Sequence, residues 1–288
     1  MRRMILLIIA LATLLPSLAQ AYDVLILQSS RIAAYDEVLR GFSNESVSQR
    51  VIVLADYAEV DVVRIVREDR PRMILAVGDA AVTASRPVRH LPVVSVMALG
   101  IHNQKYAPSN LAAISMFVHP ERYVSIFKSM KTRRVGVLYS EEKSGWYLQL
   151  ARKAASKAGL ELVVRKTSEP RETIEQLSTL AGKVDALWML PDTTAVTRES
   201  SEAYFRFGMQ NSVPVVSFAP SYLGLGAATV LEIDRVAMGR QAFAMAAKIL
   251  KIGTENSENS ENKSFQFPQK VARKNNPAVH KNLAMTPD

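Results

Sequence analysis

Short apolar runs alternate with amphipathic stretches along most of this chain. The runs at 24–27, 73–77 and 92–96 are continuous and rich in β-branched residues, a pattern typical of strands buried on both faces of a sheet. Residues 33–42 instead show the spacing of an amphipathic helix. Strands separated by helices of this length predict βαβ units and a parallel sheet.

The same alternation continues to about residue 250. Further predicted strands lie at 50–54, 111–116, 134–139, 160–164, 185–189, 213–218 and 227–233. Further predicted helices lie at 60–68, 121–130, 145–158, from 169–171 onward, 196–211 and 234–250. Because the alternation restarts near residues 115–120, we predict an α/β protein made of two doubly wound parallel-sheet lobes joined by a hinge.

A faint internal repeat supports this division. Residues 73–81 and 186–194 each combine a buried strand, a turn residue, an Asp and small residues that would open a helix. Two equivalent strand ends, one in each lobe, are expected of a protein whose lobes close like a clamshell. A chance likeness is the alternative.

The N-terminus has the three parts of a secretory signal peptide. A basic start at 1–4 is followed by an apolar run at 5–15 and by the A-x-A pattern at 19–21. The apolar run is shorter than the roughly 20 residues of a membrane-spanning helix. We expect cleavage after Ala21, which would remove Arg2 and Arg3. Because there is no Cys to carry a lipid anchor, we expect a soluble periplasmic protein.

Composition and charge narrow the function classes. The 288 residues are 48% hydrophobic and 22% charged, which is typical of a globular protein with a sizeable core. The lack of Cys excludes disulfides, iron–sulfur clusters and a Cys nucleophile. The formal net charge of +9 favours solubility or attraction to an anionic membrane, because nucleic acid is not an expected partner outside the cytoplasm.

Motifs of catalysis and metal binding are absent from the sequence. The four His residues have no ligand-like spacing, and no P-loop, G-x-S-x-G or H-E-x-x-H motif occurs. We therefore expect no enzyme, no cofactor and no metal. Near the C-terminus, residues 254–263 form a polar low-complexity tract that predicts a loop, and residues 275–288 are expected to be a tail.

Several segments together carry a resemblance to a known family. They are 35–42, 74–81, 134–139 with Ser144 and Gly145, 184–192, 214–218 with Gly224 and Gly226, 228–242 and 246–250. Their order and spacing, over residues 23–252, resemble the type I periplasmic binding proteins. More narrowly, they resemble the ABC-transporter substrate-binding family that includes tryptophan-associated binders.

This resemblance implies two lobes joined by three crossovers. The helix at 234–250 would return to the first lobe, and a last strand near 264–273 would cross once more. We accordingly assign 22–116 and 229–253 to the first lobe and 117–228 and 264–274 to the second. Two departures stand out: Asp79 occupies a position that is often Thr or small in relatives, and the tail after Lys263 fits the family ending poorly.

Ligands of open parallel sheets bind outside the carboxyl ends of the strands, where helix N-termini offer free N–H groups. The candidate ligand-binding residues at such ends are Ser29, Ser30, Tyr35, Gly78, Asp79, Ala80, Ser140, Ser144, Gly145, Asp192, Thr193, Ser217, Phe218 and Tyr222. The Ser and Thr hydroxyls would donate hydrogen bonds, and Asp79 or Asp192 would accept one from a cationic group. The aromatic residues, with Trp146, would stack on a planar ligand. The alternative is that these residues are plain helix caps or core aromatics.

We therefore expect a solute-binding protein that closes its lobes around a small polar ligand, such as an amino acid. The closed form would dock on an inner-membrane ABC permease, and we expect a monomer. One alternative is a sensory or accessory binding protein for a receptor kinase or an outer-membrane uptake system. A more remote alternative is a periplasmic α/β enzyme that uses Asp79 and Asp192 as an acid/base pair.

Overall fold

The computed structural model describes residues 22–43, 47–102, 110–252 and 265–283. The predicted signal peptide and low-complexity tract lie outside the described residues. The strands are β1 (Val24–Gln28), β2 (Gln49–Val53), β3 (Met73–Val77), β4 (Val93–Val96), β5 (Leu111–Ile114), β6 (Arg134–Tyr139), β7 (Glu161–Lys166), β8 (Ala186–Trp188), β9 (Val215–Ser217), β10 (Thr229–Ile233), β11 (Phe265–Gln266) and β12 (Val271–Asn275).

Helices connect these strands in chain order. They are α1 (Ala33–Phe42), α2 (Val62–Asp69), α3 (Asp79–Ser85), α4 (Pro120–Ser129), α5 (Glu141–Lys157), α6 (Pro170–Ser178), α7 (Arg198–Asn211), α8 (Arg235–Ile252) and α9 (Pro277–Asn282). Short 3₁₀ turns lie at Leu54–Asp56, Gly100–His102 and Pro220–Tyr222. No helix among the described residues combines the length and the apolar character needed to cross a membrane.

The first lobe is built on a parallel sheet in the order β11-β5-β4-β3-β1-β2. Strands β1, β3, β4 and β5 are buried along their whole length, as their continuous apolar runs predicted. Helices α1 and α8 pack on one face of this sheet, and α2 and α3 on the other.

The second lobe repeats this arrangement in the order β12-β10-β9-β8-β6-β7. Its strands are parallel except for β12, which runs antiparallel to β10 at the edge. Helices α4 and α5 cover one face, and α6 and α7 cover the other. The fully buried Trp188 lies against Tyr123 and Tyr147 at the centre of the first of these layers. The prediction of two doubly wound lobes is confirmed.

The chain passes between the lobes at three neighbouring places. The first crossover follows β5, the second is at Asp234, and the third joins β11 to β12. Backbone hydrogen bonds tie the crossovers together, because Ser115 N–H donates to Gln266 O at 2.8 Å and Asp234 N–H donates to Lys270 O at 3.1 Å. The three crossover segments lie side by side, and together they form the hinge about which one lobe can rotate against the other.

Strand pairing corrects the predicted lobe boundaries. Residues 229–253 were assigned to the first lobe, but β10 pairs with β9 in the second sheet and the chain returns only at Asp234. Residues 264–274 were assigned to the second lobe, with a last strand near 264–273, but β11 pairs with β5 in the first sheet and only β12 lies in the second. Pro268 separates the two short strands, because it has no N–H for a ladder bond.

Two local expectations also change. The predicted tail contains the end of β12 and the helix α9, which is anchored by the buried His280: its Nε2 lies 2.9 Å from Ala228 O. The internal repeat holds for the strands but not for the helices. Asp79 opens α3, whereas Asp192 is followed by a turn, and α7 begins only at Arg198 after the capping box of Thr197 and Ser200.

Candidate functional site

A cavity of about 200 Å³ lies between the carboxyl ends of the two sheets. The first lobe lines it with residues that follow β3 and β4, and the second lobe with residues that follow β6 and β8. The lining residues are Asp79, Val82, Thr83, Leu99, Gly100 and His102 from the first lobe, and Glu142, Lys143, Pro191 and Thr193 from the second. Of the candidate residues predicted from sequence, Asp79 and Thr193 line this cavity.

Asp79 is an exposed carboxylate at the first turn of α3. It accepts hydrogen bonds from the backbone N–H groups of Gly100 at 2.7 Å and Leu99 at 3.2 Å, and so it holds the loop after β4 against α3. An ionised carboxylate has about four acceptor positions. A bound cationic group can therefore share this carboxylate with the loop.

Ser29, Tyr35 and Gly78 lie together behind Asp79, within the first lobe. The Ser29 hydroxyl donates to Val77 O at 2.9 Å and accepts from Ala81 N–H at 3.0 Å, which positions the start of α3. Gly78 has φ +90°, and a Cβ there would lie 2.6 Å from Ser29 Oγ. Burial raises the pKa of the Tyr35 phenol and the nearby charge of Asp79 raises it further, while a hydrogen bond with Ser29 lowers it. Tyr35 is therefore a neutral neighbour of Asp79.

Asp192 is a buried structural carboxylate and not a wall of the cavity. It is 1% exposed, and its oxygens accept from the N–H groups of Ser140 at 2.7 Å, Thr194 at 2.9 Å and Ala195 at 3.0 Å, and from the Ser144 hydroxyl. These bonds tie the ends of β6 and β8 together. Because its oxygens already accept from these donors, Asp192 is not placed to act with Asp79 as an acid/base pair.

The other predicted residues do not line the cavity. Ser217 is fully buried and donates to Met189 Sδ, and the buried Gly145 lies against Glu141. Phe218 and Tyr222 meet edge to face, with ring centroids 5.3 Å apart, and pack on the second-lobe core. Those that line no wall of the cavity are Ser29, Ser30, Tyr35, Gly78, Ala80, Ser140, Ser144, Gly145, Asp192, Ser217, Phe218 and Tyr222.

His102 and Trp146 join the two lobes beside the cavity. His102 ends the 3₁₀ turn of the first lobe, and Trp146 lies on α5 of the second. Their rings are stacked, with centroids 3.4 Å apart and planes 23° apart. His102 Nε2 lies 3.3 Å from Ser115 Oγ, and burial lowers the His102 pKa to about 4. We call this pair the interlobe stack.

The opposite wall carries paired charges. Glu142 and Lys143 lie in the first turn of α5, and Lys143 Nζ is 3.0 Å from Glu142 Oε1. Sequence reasoning missed these two residues together with His102, Leu99 and Gly100. The same strand-end rule, applied to β4, indicates residues 97–102. Among the described residues, no cluster of His, Asp and Glu is placed to hold a metal ion.

Comparison with known proteins identifies the family. The sequence model of the ABC transporter substrate binding proteins matches residues 24–278. The chain belongs to this family. A tyrosine-binding protein of Clostridioides difficile is 24% identical over 146 residues, which are 49% of this chain and 42% of that protein. The family and its fold are those of binding proteins and not of enzymes.

Solved structures show the same fold. The ligand-free, open form of a substrate-binding protein with adhesive properties from Clostridium difficile aligns with a TM-score of 0.65 at 20% identity, covering 93% of this chain and 96% of that one. A domain in complex with L-Trp from Streptococcus pneumonia aligns with a TM-score of 0.60 at 17% identity, covering 91% and 95%. The type I periplasmic-binding fold expected for this substrate-binding protein is thus confirmed.

Proposed function

We propose that this protein captures an amino acid in the cavity between its lobes, outside the cytoplasm, and delivers it to an ABC importer. The observation that carries the proposal is that charged groups stand on both walls of the cavity, with Lys143 paired to Glu142 on the second-lobe wall. Asp79 stands on the first-lobe wall, and Lys143 stands on the second-lobe wall in the first turn of α5. An amino acid carries an ammonium and a carboxylate, which these two walls suit.

Each group of the ligand has a matching partner in this arrangement. The α-ammonium would bind the Asp79 carboxylate through a charge-assisted hydrogen bond. The α-carboxylate would approach Lys143 and the N-terminal turn of α5, where the helix dipole favours an anion. The side chain would extend towards the interlobe stack of His102 and Trp146, whose ring faces favour a planar group. The names of the tyrosine-binding relative and the L-Trp complex agree with such a side chain.

Removing the Asp79 charge is expected to weaken binding strongly. A hydrogen bond to a charged group contributes about 1.5–3 kcal/mol, so D79A should bind L-tyrosine or L-tryptophan about 10- to 100-fold more weakly by titration calorimetry. D79N keeps the shape and should lose nearly as much affinity. D61A is the matched control, because Asp61 caps α2 of the same lobe and lies outside the cavity. Failure of the wild type to bind any of the common amino acids would refute the proposal.

Delivery and export are tested together by uptake of labelled amino acid into cells. Deleting the gene should lower uptake of the ligand identified by calorimetry, and the full chain should restore it. A chain that lacks residues 2–21 should not, because the predicted signal peptide is gone. The D79A chain should not restore uptake either. Unchanged uptake in the deletion strain would contradict delivery to an importer.

A further inference from the structure

A row of aromatic rings runs across the gap between the lobes. The His102 ring stacks on Trp146 and lies 5.1 Å from the ring of Phe265, while Trp146 meets Phe117 edge to face at 5.1 Å. His102 and Phe265 belong to the first lobe. Trp146 and Phe117 pack on the second-lobe core. The row therefore holds one lobe against the other.

The interlobe stack lies between the cavity and the hinge, so a rotation of the lobes affects it directly. His102 lines the cavity and contacts Ser115, the residue at the first crossover. Ser115 Oγ in turn accepts from Phe117 N–H at 3.0 Å, so the hinge backbone and the ring row form one unit. Because the two ring faces are in van der Waals contact, opening the cavity must separate them.

We propose that the interlobe stack is a proton-sensitive contact that favours lobe closure when His102 is neutral and opening when His102 is protonated. This inference rests on the proposed capture of ligand between the lobes. It adds regulation of that site by pH. The protein would retain its ligand at neutral pH and release it when the medium outside the cytoplasm becomes acidic.

The physical cause is the hydration of the imidazolium. In the stack one face of the His102 ring is covered by indole, and the ring edge points to the uncharged Ser115 hydroxyl. A charged ring there loses water without gaining an ionic partner among the residues that the structure describes. The charged groups that line the cavity with it are Asp79 of the same lobe and Glu142 and Lys143 of the other lobe. Asp79 is bonded to the loop backbone and Lys143 to Glu142. Attraction of a cation to the indole face acts in the opposite direction.

The direction of the pH effect follows from the two pKa values. Burial holds the pKa of His102 at about 4 in the stack, against 6.5 for an exposed His. The free-energy contribution of the interlobe stack to lobe closure is therefore complete above pH 6.5, and it decreases as the pH falls from 6.5 towards 4. At pH 5 the ratio of open to closed molecules should rise by about 30-fold relative to pH 8.

The test uses the ligand-free protein and its own Trp residues. The chain has two Trp, and W188F leaves Trp146 as the single reporter. Between pH 8 and 4.5 its emission maximum should shift to the red with a midpoint between 4 and 6.5, and the radius of gyration from X-ray scattering should increase. Circular dichroism checks that the protein stays folded. H102F keeps a stacking ring that cannot titrate and should abolish both changes. H90F, at an exposed His of the same lobe, should retain them.

A second measurement, made at constant neutral pH, does not depend on whether the protein stays folded in acid. At pH 7.5, H102A should already have the red-shifted emission and the larger radius, whereas H102F should match the wild type. A pH response that persists in H102F, a closed H102A protein, or closure that increases in acid would overturn the inference. Because no ligand is used, these outcomes are independent of the calorimetry that tests amino-acid binding.

Discussion

Replacing Gly239 by alanine is expected to lower the free energy of unfolding by about 3 kcal/mol, at the upper end of the usual cost of overpacking a core. Gly239 lies on α8 where this helix crosses α1. A Cβ at this position would lie 2.8 Å from Phe42 N and 2.9 Å from the Gly41 carbonyl carbon, and nearer still to Val38 O. These atoms belong to the backbone of α1, which cannot make room by changing rotamer as a side chain can.

The partner position on α1 explains why the helices cannot move apart easily. A Cβ on Gly41 would lie 2.8 Å from the Val236 carbonyl carbon. The two glycines thus permit a close crossing of α1 and α8, which packs Val38, Phe42 and Met238 against the first sheet. Separating the helices to admit one methyl group would loosen these contacts together, because packed interiors have few voids to absorb the shift.

Urea denaturation followed by circular dichroism measures this effect. Gly224 is the matched control, because a Cβ there would meet nothing closer than Ser221 O at 3.8 Å. G224A should remain within about 0.5 kcal/mol of the wild type, as surface substitutions usually do. Equal stability of G239A and G224A would show that the α1–α8 crossing is not as tight as the structure has it.

Replacing Asp192 by alanine should also cost about 3 kcal/mol, for a different reason. The substitution removes the acceptor for the N–H groups of Ser140, Thr194 and Ala195 at a site where Asp192 is 1% exposed. Buried donors left without a partner lose hydration and gain nothing in exchange. Because Asp192 ties the end of β8 to the start of α5, Glu142 and Lys143 should lose their positions as well.

Two measurements separate the stability loss from the loss at the site. Urea denaturation should show the lower stability, and calorimetry at a temperature where D192A is still folded should show weaker binding of L-tyrosine or L-tryptophan. D56A is the control, since Asp56 forms an exposed ion pair with Arg31 and such pairs contribute about 1 kcal/mol or less. A D192A protein as stable as D56A would contradict the structural role of this carboxylate.

Much of the fold is predictable from local patterns. The run at 73–77 is buried on both faces as expected, and 134–139 is a strand with those bounds. Such segments are predictable because a strand covered by helices on both sides must be apolar throughout. The lobe assignment of 229–233 and of 265–266 was wrong, because short strands near a hinge have the same local pattern whichever sheet they join.

The residues of the cavity are likewise only partly predictable from the sequence. Asp79 could be found from its place after a buried strand, because strand ends of parallel sheets meet at one edge. Asp192 has the same sequence context, yet it lies under neighbouring backbone and binds Ser140 and Ser144 instead of facing the cavity. Nothing in the local sequence distinguishes the two, because the difference depends on which backbone N–H groups the fold places around each carboxylate.

The sequence by itself determined the alternation of strands and helices, the division into two lobes and the family resemblance, because each follows from hydrophobic spacing and from the order of segments along one chain. Only the tertiary structure decided which polar residues line the cavity, and that His102 of one lobe stacks on Trp146 of the other. The physical reason is that these contacts join residues far apart in the chain, and their geometry is set by the packing of whole lobes rather than by their neighbours in sequence.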